Sequence, residues 1–116
     1  MPIGRMREPT YFILAALQDE PRHGYAIMTR AEELSRGLVK LATGTLYAAL
    51  DRLTGEGYIR AVREEIVNGR ARRYYALTDE GLAALVAEAE RMAEAAKVVI
   101  GKARPRRATR PRGAIA

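Results

Sequence analysis

The chain has 116 residues, a formal net charge of +6, and neither cysteine nor tryptophan. That length suits one modest hydrophobic core, and small domains bury a limited share of their surface, so dimerisation is a natural source of added stability. Without cysteine there is no disulfide, thiolate metal site or cysteine nucleophile; no apolar run has signal-peptide or bilayer length, so a soluble, cytoplasmic protein is expected.

Residues 1–8 read as a poorly ordered arm. A first helix is expected over about 9–18, where Tyr11, Phe12, Ile13, Leu14 and Leu17 are apolar around more than one face. Such a helix needs covering twice, once by its own domain and once by a second subunit. Asp19, Glu20 and Pro21 end it. A second helix over about 24–34 carries Tyr25, Ile27, Met28 and Ala31, and Ser35-Arg36-Gly37 supplies its stop.

The third helix has the clearest amphipathic pattern. Thr43 is expected to cap it, and Leu46, Ala49, Leu50 and Leu53 then recur at i, i+3, i+4 and i+7 on one buried stripe. The opposite face carries Gly44, Thr45, Ala48, Asp51 and Arg52, with Tyr47 on the border. Small residues there permit close approach to a groove, and Thr45 and Arg52 can hydrogen-bond phosphates or base edges. An ordinary surface helix would share these features, so the next segment discriminates.

Gly55 and Gly57 punctuate the chain before two strands, about 58–66 and 72–77. They are joined through Val67-Asn68-Gly69-Arg70, and Asn68-Gly69 best tolerates the positive φ angles of a tight hairpin. Arg60, Arg63, Arg70, Arg72 and Arg73 outnumber Glu64 and Glu65, which favours phosphate contact over a merely solvated hairpin. A last helix begins at Thr78, whose hydroxyl can cap it, with Asp79 and Glu80 at the positive end of its dipole. It is expected to end near Gly101. Leu82, Leu85, Ala89, Met92, Ala96 and Val99 are spaced as a heptad seam, widened by Val86, Ala93 and Ile100. That seam exceeds what the small body covers, so a second copy of the chain is its expected partner.

Charge is unevenly placed. Residues 102–116 hold Lys102, Arg104, Arg106, Arg107, Arg110 and Arg112 with no acid, and the rest of the chain carries fourteen charges of each sign. With Pro105, Pro111 and Gly113 among those arginines, the tail is expected to be disordered. Two roles stay open for it, salt-sensitive nonspecific DNA affinity or a neutral solubilising extension.

Catalytic groupings are missing. His23 is the single histidine and has no base, nucleophile or ligand set around it; Ser35 has no activating base; Glu32-Glu33 and Glu64-Glu65 are expected to face solvent. Isolated glycines make no phosphate cradle. The chain is expected to be no enzyme and to hold no metal or cofactor.

Several segments together resemble the PadR-like transcriptional regulators: Leu14-Ala15-Ala16-Leu17, His23-Gly24-Tyr25-Ala26-Ile27, Gly44-Thr45-Leu46-Tyr47-Ala48-Ala49-Leu50, Leu53, Gly57-Tyr58-Ile59 and Arg73-Tyr74-Tyr75-Ala76-Leu77-Thr78-Asp79-Glu80-Gly81. The likeness covers about residues 10–100 with the family's order and approximate spacing. Where the family usually has proline, this chain has Ala48, a better helix former. Both lines of reading give a mainly α fold with a small β-hairpin (α+β). It is a winged helix-turn-helix over 9–77 with a long C-terminal dimerisation helix over 78–101.

The expected function is a homodimeric, sequence-specific repressor on double-stranded DNA, with half-sites about one helical turn apart. Thr43, Thr45 and Arg52 are the expected groove contacts, and Lys40, Tyr47, Asn68, Arg70 and Arg72 the backbone contacts. The expected dimer interface is Phe12, Leu82, Leu85, Ala89, Met92, Ala96 and Val99, and the resemblance implies that the last helix pairs with the partner's first helix. It also implies a structural helix-start role for His23, and release from DNA by a small aromatic or drug-like effector. That effector would sit between subunits against Phe12, Ala15, Ala89, Met92, Ala93 and Ala96; a small-residue seam fits either room for a ligand or tight packing. Two alternatives are an architectural nucleic-acid binder driven by the basic tail and a winged helix that meets an acidic protein surface. A chain ending at Gly101 would keep specific DNA binding under the first reading and lose nearly all binding if the tail drives it.

Overall fold

The computed structural model describes residues 6–109, with side chains through residue 103. In chain order come α1 (Glu8–Ala16), β1 (Arg22–His23), α2 (Gly24–Leu34), α3 (Thr43–Gly55), β2 (Ile59–Val67), β3 (Arg70–Leu77) and α4 (Asp79–Thr109). The chain divides into two compact units, one ending at Val86 and the other beginning at Ala87. The first turns of α4 therefore belong to the first unit.

The apolar stripe of α3 organises the first unit. Leu46, Leu50 and Leu53 are fully buried and meet Ile13, Leu14 and Leu17 of α1, Ile27 of α2, Ile59 of β2 and Tyr75 of β3 in one cluster. Burying a side chain of this size contributes about 1.5–3 kcal/mol, so this cluster sets the orientation of the three short helices. Leu85 joins the same cluster and is only 4% exposed. The seam expected to face a second subunit is thus shared: the early part of α4 is used by its own domain.

Several expectations on element boundaries need correction. α1 starts at Glu8, earlier than expected, and Met6 is half-buried against the core, so the end of the arm is anchored; residues 1–5 lie outside the described residues. Thr43 does not cap α3. Ala42 occupies the N-cap with no side-chain bond, and Thr43 lies inside the first turn. Hydrophobic burial of Leu46 and Leu50 holds that helix without help from a cap. At the other end, α4 runs to Thr109 where a stop near Gly101 was expected. Extending a formed helix costs little per residue, and one glycine costs about 1 kcal/mol, too little to end it at Gly101; Pro105, at about 3 kcal/mol, is the larger penalty, and the helix runs through it as well. The unstructured tail expected from Lys102 is therefore helical as far as Thr109, and residues 110–116 lie outside the described residues.

The hairpin is the outer part of a three-stranded antiparallel sheet of order β1-β3-β2. Asn68 and Gly69 both take positive φ, 53° and 77°, the signature of a two-residue type I′ turn. The two-residue β1, unseen in the sequence, pairs Arg22 with Tyr75 and His23 with Tyr74. Two residues are too few to leave an alternation pattern. A bulge at Val62 lies between the Ala61/Tyr75 and Arg63/Tyr74 pairs, which adds local twist to the hairpin.

Candidate nucleic-acid interface

The outward side of α3 is bare. Gly44, Ala48, Asp51 and Gly55 repeat at i, i+4, i+7 and i+11, fall on one row opposite Leu46 and Leu53, and are all exposed. Nothing lies within 4 Å of where a Cβ would stand on Gly44 or Gly55. A row of such small residues lets the helix backbone approach a grooved surface closely.

An arginine-bearing concavity lies on each side of that row. On one side is a cleft of about 700 Å³ between α3 and the hairpin, lined in part by Tyr47, Asp51, Asn68, Arg70 and Arg72. Within the hairpin, Glu64 is 3.9 Å from Arg73 and Glu65 is 4.0 Å from Arg63, and the Arg63 guanidinium also lies 3.9 Å from the Tyr74 ring centroid. Those two arginines already have partners. Arg70 and Arg72, the pair singled out in the sequence, have no ion pair among the described residues. Asn68 is exposed at the tip beside them.

On the other side is a groove of about 710 Å³ against the start of α1, lined in part by Arg7, Thr10, Thr45 and Arg52. Here the structure gives Arg52 partners within its own chain. Its guanidinium donates to the Thr10 hydroxyl at 3.0 Å and lies 3.5 Å from the Glu56 carboxylate, so it braces α3 against α1. Thr45 remains exposed, as does Thr43 in the same first turn of α3. Arg7 was missed from the sequence because it lies in a segment without periodicity; Met6, packed on the core, is what places it beside α3. Lys40 is exposed and 3.5 Å from Glu32, a surface pair of small energetic weight that a phosphate can displace.

Tyr47 is positioned by a glycine. A Cβ on Gly24 would overlap the Tyr47 hydroxyl, so the ring crosses the first turn of α2 at close range. His23 caps that turn: its Nδ1 accepts from the Ala26 N–H at 3.4 Å, and its ring stacks edge-on against Tyr74 with centroids 5.3 Å apart. Tyr74 in turn donates to the Glu65 carboxylate at 3.2 Å. His23 thus ties the helix-turn-helix to the sheet, a structural role.

Burial and then the nearby Arg72 guanidinium hold the His23 pKa below its ordinary 6.5, with Glu65 acting weakly in the opposite direction. The unfolded chain therefore takes up this proton first. Its contribution to stability is complete above pH 6.5 and is lost as the pH falls through and below that value. The expected result is a lower urea midpoint at about pH 5.5 than at about pH 7.5, flattened in His23→Asn, which keeps an acceptor at the cap. Equal pH dependence in the two proteins would remove His23 from this account.

Residues 13–87 match the family described as "Transcriptional regulator PadR-like family". The chain belongs to the PadR-like family. Its members are transcriptional regulators, not enzymes. A curated relative, the transcriptional regulator Rv3488 of Mycobacterium tuberculosis, is 39% identical over 89 residues, covering 77% of this chain and 79% of its own. A PadR family transcription regulator from Clostridium difficile R20291 has the same architecture, with a TM-score of 0.68 at 26% identity over 82% of this chain and 97% of its own. PadR of Bacillus subtilis, solved in complex with operator DNA, is 30% identical with a TM-score of 0.60. That match covers 68% of this chain and 46% of the other.

The PadR-like fold also locates the residues expected to serve dimerisation and effector binding. Phe12 and Ala15 of the first unit line a shallow concavity of about 380 Å³ with Tyr11, Arg30 and Leu34. Ala93 and Ala96 of the second unit line another with Lys97 and Ile100. Leu82 is 40% exposed, Met92 37% and Val99 68%, with Ala89 half-buried and Ala96 exposed; of the expected interface residues only Leu85 is consumed by the core of its own chain. Among the described residues no group of three or more histidines and acids is placed to hold a metal, and no helix is long and apolar enough to cross a membrane.

Proposed function

We propose that this PadR-like protein is a cytoplasmic, homodimeric, sequence-specific DNA-binding repressor. The observation that carries the reading is the bare outward row of α3 between two arginine-bearing concavities. A helix lying in a major groove has a phosphate backbone on each side, and this arrangement offers cations to both. Arg70, Arg72 and Asn68 serve one backbone. Arg7, Thr45 and Lys40 serve the other side and the turn before α3. Thr43 lies at the leading end of the helix, and Tyr47 bridges α3 to the first turn of α2.

Dimerisation is supported by the seam residues left open along α4, Leu82, Met92 and Val99, of which Val99 is more than half exposed. Isolated apolar side chains are common on surfaces, but a heptad-spaced series along one helix calls for a partner helix. In the proposed dimer an aromatic or drug-like effector binds where Phe12 and Ala15 of one subunit approach Ala89, Met92, Ala93 and Ala96 of the other, and its binding releases the operator.

The test is selection of binding sites for the full-length protein from a random duplex library at near-physiological salt. An inverted repeat with half-sites about one helical turn apart is the expected product. Binding without any enriched motif would sink the specific-repressor reading and favour the architectural one driven by the basic C-terminal residues.

A further inference from the structure

Resting on the DNA-reading function proposed above, we infer that Asp51 is a base-reading side chain of α3 and that it selects cytosine. On the outward row of Gly44, Ala48, Asp51 and Gly55, it is the one residue with a polar side chain. The basic residue that follows it, Arg52, is turned aside to Thr10 and Glu56. Asp51 itself is exposed and has no ion pair or side-chain hydrogen bond among the described residues, although Arg70, Arg72 and Arg73 line the same cleft.

Donor and acceptor chemistry restricts what such a group can do. A carboxylate accepts hydrogen bonds and donates none, whereas a phosphate backbone presents only acceptors and negative charge. Asp51 therefore gains nothing from the phosphates that the neighbouring arginines serve. In the major groove the available donors are the exocyclic amines, the cytosine N4 group and the adenine N6 group. Adenine suits a side chain that can also donate to its N7, which a carboxylate cannot do. Cytosine offers its amine beside an apolar ring edge, and a lone acceptor satisfies it. The small neighbours Gly44 and Ala48 remove the side chains that would hold α3 off the groove floor and let this short acid reach a base.

The experiment repeats the random-duplex selection with the wild type, Asp51→Ala and Asp51→Asn, after thermal melting has shown all three to be folded. The wild type should fix cytosine at one position in each half-site with about tenfold or greater discrimination. Asp51→Ala should lose the preference at that position alone. Asp51→Asn, which can donate as well as accept, should move it to adenine.

Two outcomes overturn the inference while leaving the DNA-reading function intact. One is an Asp51→Ala motif identical to that of the wild type, with affinity raised for all duplexes alike, which would make Asp51 merely a repulsive charge. The other is a changed position occupied by a base other than cytosine in the wild-type motif. Absence of any motif for the wild type would instead strike at the proposed function itself, and the assignment of Asp51 would fall with it.

Discussion

Replacing Arg70 and Arg72 together by alanine is expected to lower affinity for every duplex, operator or not, by roughly two orders of magnitude near physiological salt. The slope of log K against log salt should shrink by roughly 3 to 4 in a dimer, since four guanidiniums cease to displace counterions at about 0.9 each. The size of the effect follows from the charge arrangement in the hairpin. Arg63 and Arg73 each have a carboxylate 3.9–4.0 Å away, weak exposed pairs that a phosphate can displace but whose negative charge partly offsets the gain, while Arg70 and Arg72 are free of ion pairs among the described residues. The matching Arg63→Ala, Arg73→Ala protein is the control, and it should lose much less. Fluorescence anisotropy across a salt series reads both quantities. An unchanged slope in the Arg70, Arg72 variant would mean that the hairpin does not lie on the backbone.

The second large effect concerns the fold. Gly81 in the first turn of α4 sits against the backbone of Tyr58: a Cβ there would overlap the Tyr58 carbonyl oxygen and come within 2.9 Å of Leu77 Cδ1. The contact is held by a compact set of hydrogen bonds. The Thr78 N–H donates to the Tyr58 carbonyl at 3.1 Å, the Thr78 hydroxyl donates to the Gly57 carbonyl at 2.6 Å, and the Gly81 N–H donates to the Thr78 hydroxyl at 3.0 Å. Because the obstacle is backbone, it cannot rotate away. Gly81→Ala should therefore destabilise the protein by about 3 kcal/mol and lower its melting temperature by about 10 °C or more. Gly44→Ala, in open space on α3, should instead be neutral or stabilising by up to about 1 kcal/mol. Similar melting temperatures for the two variants would show that the junction between α4 and the strand before it is looser than this geometry requires.

These two cases differ in how far the sequence disclosed them. The hairpin was legible because its signals are local: Asn68-Gly69 sets the turn, and arginine spacing sets its charge. That Arg73 has an acid beside it depends on cross-strand register, in which Glu64 faces it directly, while Glu65 lies opposite Arg72 yet has its carboxylate nearest Arg63 of its own strand. Gly81 read as part of a family segment, and nothing in its neighbours in sequence announces the Tyr58 carbonyl. Contacts across 23 positions are set by packing.

α3 shows the same division. Its buried stripe and its bare face followed from period alone, and Thr45 and Tyr47 are exposed as that period requires. Arg52 was placed on the outward face by the same arithmetic, yet lies at its flank, where Thr10 and Glu56 are close enough to hold its guanidinium. Long side chains take their direction from partners in space, and periodicity supplies only the direction of the Cα–Cβ bond. The cap expected from Thr43 failed for a related reason, since core burial of Leu46 and Leu50 places the start of the helix one residue earlier than the hydroxyl would choose.

By itself, then, the sequence determined the order of the four helices and the hairpin, the core stripe of α3, the turn of the hairpin and the family, because each is carried by residues close together in the chain or by their period. Tertiary structure alone decided the third strand at Arg22–His23, the anchoring of Arg7 through Met6, the use of Leu85 inside its own domain, and the contacts of Arg52 with Thr10 and Glu56. Each of these depends on which atoms meet across the core, and a short strand, a flexible guanidinium or a shared apolar seam leaves no periodic trace of the partner it will find.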